Sequence, residues 1–267
     1  MVASGASRSI CQSPETSPTP LISSEKRAIA KSFVDQANNC DEKNSKCRIT
    51  AFTKAIETAP DYAEAYNGRA LVYRANGELD RAMADLNKVI ELDPRAGQAY
   101  YYRAIIFAAK NDLPNSIENF SKTIELLPES WAAYAGRGNA HLRMRHYQAA
   151  TSDFERAIQI EPNAADAYYG RGTVFYLRDD LPKAIADFTK ALEITPGLSI
   201  AYLNRSKCYE MTGNDQAALA DLTRFVEMEP LDVRGYDGRA AIYDRLGEKE
   251  RADADRQKAI ELRKHEL

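Results

Sequence analysis

AEAYNGRALVYRANGELDRAMADLNKVIELDP, residues 63–94, decides the fold of this chain. Its first half sets Tyr66, Ala70 and Tyr73 at i, i+4 and i+7; its second half sets Ala82, Leu86 and Val89 at the same spacing. Residues so spaced share one face of an α-helix. The stretch predicts two amphipathic helices, over Ala63–Ala75 and Asp80–Leu92. Gly77 stands where the first helix must turn, because glycine adopts a left-handed cap without strain. Pro94 closes the second helix, since proline cannot continue it.

Outward from this stretch the same unit recurs. Pro60, Pro94, Pro128, Pro162, Pro196 and Pro230 follow one another at intervals of 34 residues. Tyr66, Tyr100, Tyr134, Tyr168, Tyr202 and Tyr236 keep the period. The Ala70 position is always small: Ala104, Gly138, Gly172, Ser206 and Ala240. So is the Ala82 position: Ser116, Ala150, Ala184, Ala218 and Ala252. Small residues let two helices approach, and large ones fill the gaps between them. Gly213 and Gly247 repeat the Gly77 turn, with Asn111 and Asp179 at equivalent places. Pro114 and Pro182 fall in the first turn of a second helix, where a missing N–H costs little.

These residues resemble the tetratricopeptide repeat, in their aromatic–small–aromatic first helix, Ala–aromatic–Ala second helix and closing proline. The resemblance covers about residues 63–264 in six copies, with a degenerate first copy over 24–60. Residues 1–22 (SPETSPTP within them) read as a disordered Ser/Pro/Thr-rich tether, and 265–267 as a short C-terminal end. The resemblance implies an all-α fold, an α-solenoid of stacked helix–turn–helix repeats in a right-handed superhelix. It also implies a concave groove lined by the first helices, used for protein–protein binding.

Composition excludes several classes. With 44% hydrophobic and 28% charged residues the chain suits a folded protein. A formal net charge of -3 argues against a nucleic-acid partner. No apolar run is long enough for a transmembrane segment. There is no Gly-rich phosphate loop, no G-x-S-x-G and no H-E-x-x-H, so no enzyme, metal or cofactor is expected. His141 occupies the aromatic place held elsewhere by Tyr73, Phe107, Phe175, Tyr209 and Tyr243, and reads as a packed histidine.

Four cysteines are present: Cys11, Cys40, Cys47 and Cys208. Cys40 and Cys47 stand at the facing ends of the first helical hairpin, read over Ser24–Asn38 and Cys47–Thr58. That placement would allow their Cα atoms to come within disulfide range; two free thiols are the alternative. A bridge would mark an oxidising compartment. A Cys-containing first hairpin also resembles exported bacterial repeat proteins, which tilts the reading toward an exported or cell-envelope (periplasmic) setting over a cytoplasmic one. Cys208 falls on a buried helix face and reads as a small core residue.

Arg69, Arg103, Arg137, Arg171, Arg205 and Arg239 form a second periodic row, matched by Asp85, Asn119, Asp153, Asp187, Asp221 and Asp255 on the second helices. The reading favoured is a structural ladder, each arginine meeting an aspartate of its own or a neighbouring repeat. The rival is a row that binds acidic or phosphorylated ligands, against which the neutralising aspartates argue. Pairing within repeats would leave Arg103 without a carboxylate.

The resemblance places groove residues one turn to either side of the packed face. They are Asn67, Leu71, Tyr101, Tyr102, Ile105, Asn139, Tyr169, Thr173, Leu203, Asn204, Lys207 and Asp237. Tyrosine is enriched at interfaces, although Tyr101 and Tyr169 could equally pad neighbouring helices. Some relatives grip acidic chaperone tails with a Lys/Asn/Arg clamp; its places here hold residues such as Tyr101, Asn139 and Gly170, so that use is not expected. The function expected is a non-catalytic scaffold or adaptor that binds a peptide or helix in the groove during assembly of a larger complex. Alternatives are a targeting subunit of an enzyme complex and a module that self-associates through its last repeat. In that repeat Arg256 replaces the large apolar series Leu86, Phe120, Phe154, Phe188 and Leu222, and Lys264 replaces the proline. This leaves the final helix to fray or to find a partner.

Overall fold

The computed structural model describes residues 23–265. The reading of 1–22 as a tether, Cys11 and the last two residues lie outside them. Among the described residues the fold is seven helical hairpins. They are α1 (Ser24–Asn39) with α2 (Ser45–Thr58), α3 (Ala63–Ala75) with α4 (Leu79–Leu92), α5 (Gly97–Ala109) with α6 (Leu113–Leu126), and α7 (Trp131–Arg143) with α8 (Tyr147–Ile160). The remaining pairs are α9 (Ala165–Leu177) with α10 (Leu181–Ile194), α11 (Ser199–Met211) with α12 (Asp215–Met228), and α13 (Val233–Leu246) with α14 (Lys249–His265). We call the odd-numbered helices A and the even-numbered ones B.

The first hairpin differs slightly from its sequence reading. Helix α2 begins at Ser45 rather than Cys47, because Asn44 caps it: its side-chain oxygen accepts the Cys47 backbone N–H at 3.0 Å. Cys40 and Cys47 form a disulfide across this turn, with Cα atoms 6.1 Å apart. Val34, Ala37, Phe52 and Ala55 belong to the core of this hairpin.

From α3 onward each A helix ends the same way. The backbone N–H of Glu78 donates to the Tyr73 carbonyl at 2.8 Å, closing the helix over a left-handed Gly77 at φ 78°. The same closure recurs at Asn111, Asp179, Gly213 and Gly247, and also at Arg145, which nothing in its residue type announces.

Each B helix except α14 buries one large side chain against the next A helix. Phe52, Leu86, Phe120, Phe154, Phe188 and Leu222 are all at most 3% exposed. Gly170 shows why the next helix can come so close: a Cβ there would lie 2.4 Å from the Phe154 ring. Gly68 over Phe52 and Gly136 over Phe120 are equally tight.

The C-terminal end closes with charge. Arg256, in the place of the buried phenylalanines, pairs with Asp244 and Asp253, and Arg263 pairs with Asp237. Helix α14 runs on to His265. Among the described residues no helix is long and apolar enough to cross a membrane.

Candidate binding surface

A helices of successive repeats touch one another directly, as α5 does α7, α7 does α9 and α9 does α11; neighbouring B helices make no comparable contact. The A helices therefore occupy the inner side of the curve. Asn67 and Leu71 lie one turn apart on α3, and their equivalents 34 residues on carry two rows along that side. Asn139 and Lys207 are exposed; Asn67, Leu71, Tyr101, Tyr102, Ile105, Tyr169, Thr173 and Asn204 are half-buried.

One groove expectation is corrected. Leu203 is only 2% exposed and belongs to the core with Leu222, Phe225 and Ile242. A leucine has no polar end to keep in water, and α12 and α13 close around it. Asp237 is exposed, as expected, and pairs with Arg263 of α14.

The tyrosines do two jobs. Tyr101 meets Phe120 edge-on, ring centroids 5.8 Å apart, beside Ala104 and Ala133. Tyr169 packs on Phe188 at 5.7 Å, and its hydroxyl accepts from Asn204 Nδ2 at 2.9 Å. Burial pushes both phenols above their ordinary pKa. Each ring thus joins neighbouring repeats and offers only its remaining surface to a ligand.

Arg74 was absent from the sequence reading. It follows Leu71 by three residues on the same face, and its guanidinium lies 5.3 Å over the Tyr102 ring. Among the described residues its buried Nε and the buried Asn67 Oδ1 have no hydrogen-bond partner. Leu177 and Met211, half-exposed at the ends of α9 and α11, were also missed because they lie just beyond the two rows.

The arginine row sits elsewhere, between B helices. Arg69 donates Nε and Nη2 to the two oxygens of Asp85, both at 2.8 Å. Arg137, Arg171, Arg205 and Arg239 hold Asp153, Asp187, Asp221 and Asp255 in the same two-pronged way. Pairing is within the repeat, 16 residues on, and a second contact reaches back 16 residues. Arg69 Nη1 donates to Thr53, Arg137 to Ser121 and Arg205 to Thr189. The aspartate bond holds Arg69, Arg171, Arg205 and Arg239 above the ordinary arginine pKa, whereas burial lowers Arg103. Cys208 is fully buried, and burial pushes its thiol up to about 11. Among the described residues no group of three His, Cys, Asp or Glu could hold a metal ion.

A tetratricopeptide repeat family model matches residues 80–130 and 135–199, and another matches 63–95. The chain belongs to the tetratricopeptide repeat family. No curated protein matches it in sequence. Among solved structures it is similar to YrrB, described as a TPR protein with an unusual peptide-binding site. That likeness has 26% identity and a TM-score of 0.57 over 70% of this chain and 96% of YrrB. It is also similar to MamA, 28% identical with a TM-score of 0.54 over 59% of this chain and 92% of MamA. A tetratricopeptide repeat protein from Parabacteroides merdae shares the fold, with 20% identity and a TM-score of 0.67 over 87% of this chain and 93% of that one. Tetratricopeptide repeats are in general protein-interaction modules, and this chain has that scaffold.

Proposed function

We propose that this repeat protein is a non-catalytic scaffold that holds an extended peptide or a helix of a protein partner along its A helices, in assembly of a larger complex. The observation that carries the reading is the pair of buried, unpartnered polar atoms Asn67 Oδ1 and Arg74 Nε. A buried polar atom without a partner is costly. A bound peptide would supply an N–H for the first and a carbonyl for the second once the Asn67 and Arg74 side chains turn outward to meet it. Tyr101, Tyr102 and Ile105 on the neighbouring helix give that peptide apolar contact. YrrB, described as having a peptide-binding site, supports the reading by likeness. The disulfide of the first hairpin fits a setting outside the reducing cytoplasm.

Photo-crosslinking residues at Asn139 and Lys207, both exposed on the inner side, test the proposal against crosslinkers at Glu91 and Glu125 on B helices. Capture of the same protein from the inner positions alone, abolished in a folded Asn67→Ala, Ile105→Glu variant, supports it. Capture only from the B-helix positions, or unchanged capture by the variant, overturns it.

A further inference from the structure

We propose that Arg103 binds one carboxylate group supplied from outside the chain, at a site between the B helices and separate from the groove. In five repeats the ladder arginine gives Nε and Nη2 to both oxygens of an aspartate. Arg103 meets an amide instead. Its Nε donates to Asn119 Oδ1 at 2.7 Å and its Nη1 to Asn87 Oδ1 at 2.9 Å. Asn119 Nδ2 is turned away, donating to the Asn115 carbonyl at 2.8 Å. Among the described residues Arg103 Nη2 has no acceptor, and both partners of the guanidinium are neutral.

The surroundings suit a carboxylate. A cavity opens at Arg103, lined by Tyr100, Asn119, Ser121 and Lys122 and by two carboxylates of this chain, Glu118 and Glu125, of which Glu125 is paired with Lys122. The Tyr100 ring lies 5.2 Å from the guanidinium. Lys122 adds a second cation at the rim, held by Glu125 in an exposed pair of the weak kind. Glu118 is the carboxylate of this chain closest in effect, but it is exposed and solvated. An oxygen arriving at Nη2 would restore the charge match that the other five arginines have. The chemistry admits two sources, an acidic side chain of a partner polypeptide or a small free carboxylate.

The side-chain Nε–Hε signal of Arg103, followed by NMR in the full chain at constant ionic strength, reads the site directly. The probes are acetate, a blocked Gly-Glu-Gly peptide and its Gly-Gln-Gly counterpart. A saturable shift with acetate or the Glu peptide, absent with the Gln peptide and lost in Asn119→Asp, supports the proposal. Response to both acetate and the Glu peptide assigns the site to an acidic side chain; response to acetate alone assigns it to a free carboxylate. Glu118→Gln, which removes the internal competitor, strengthens the response. No saturable shift, or the same shift in Asn119→Asp, overturns the proposal. Asn119→Asp adds the partner present in the other repeats, so loss of the shift there, with the fold intact by circular dichroism, is not a folding failure.

Discussion

Arg205 on α11 holds Asp221 on α12 by two parallel bonds of 2.8 and 2.7 Å, and reaches back to Thr189 on α10 at 2.9 Å. One side chain thereby ties three helices across a repeat boundary. The carboxylate is nearly buried and the guanidinium mostly so, with side-chain exposures of 7% and 15%. Removing one partner of such a pair strands the other charge. Asp221→Ala should cost about 2 kcal/mol, below a fully buried pair because the arginine keeps some water. Asp221→Asn should cost less, since it recreates the Arg103–Asn119 arrangement, and Asn119→Asp should raise the melting temperature. Thermal unfolding of the three variants checks the order; equal effects of Asp221→Ala and Asp221→Asn would show that charge does not matter there.

The ladder was legible in sequence because each repeat solves one packing problem with the same residues. The helices were legible for the same reason: Tyr66, Ala70, Ala82 and Leu86 must sit where they do for hairpins to stack. Sequence spacing could not show what depends on the neighbour. Leu203 holds the place of Asn67 and Tyr101, yet α12 and α13 bury it. Asp237 holds that place too, and the Arg263 side chain of α14 pairs with it. Arg145 takes a left-handed turn at φ 61° because the helix closure around it demands one, against its own preference.

Close approach makes Gly170 intolerant of a side chain. A Cβ there would meet the Phe154 ring at 2.4 Å, and that ring is fully buried. Gly170→Ala should destabilise by about 1–3 kcal/mol, as overpacked cores do. Gly197→Ala is the control, since nothing lies within 4 Å of a Cβ there. Chemical denaturation of both variants decides it: similar midpoints would mean that the Phe154 contact yields freely.

Reducing the Cys40–Cys47 disulfide should loosen one repeat and spare the rest. The bridge closes a short segment, with a sequence separation of 7, inside the repeat that departs most from the consensus. Short loops of this kind contribute about 2–3 kcal/mol by limiting the unfolded chain. Hydrogen exchange with and without reductant should show faster exchange at Val34, Ala37, Ala51 and Phe52, and unchanged exchange at Phe154 and Phe188. Uniform loosening would mean that the first hairpin is coupled to the whole stack.

His141 makes stability depend on pH. Burial holds its pKa below the ordinary 6.5, with Arg137 and His146 acting in the same direction and Asp153 against it. Between the folded and unfolded values the unfolded chain binds the additional proton, so stability there rises with pH. On acidification it starts to fall near the unfolded value and stops falling below the folded one. His141→Tyr restores the aromatic residue of Tyr73 and Tyr209 and should remove this contribution. The measurement is the drop in melting temperature from about pH 7.5 to about pH 5.5, which should be smaller in the variant; an equal drop places the pH dependence elsewhere.

The end face carries the last prediction. Within the stack, Phe154 and Phe188 are buried where the next A helix lies against them. Arg256 occupies the same place on α14, next to Ile260, which is 43% exposed, and pairs with Asp244. An approaching hairpin, whether of a partner or of a second copy, would have to strip water from these charges and bury them. Arg256 and Arg263 are therefore expected to stop stacking. Arg256→Phe restores the apolar seat and leaves Asp244 without this partner at its edge. Light scattering across a concentration series should show the native chain at constant mass and the variant growing in mass with concentration. A native chain that already grows with concentration would mean that this face is an interface between copies, with the ion pairs exchanged across it.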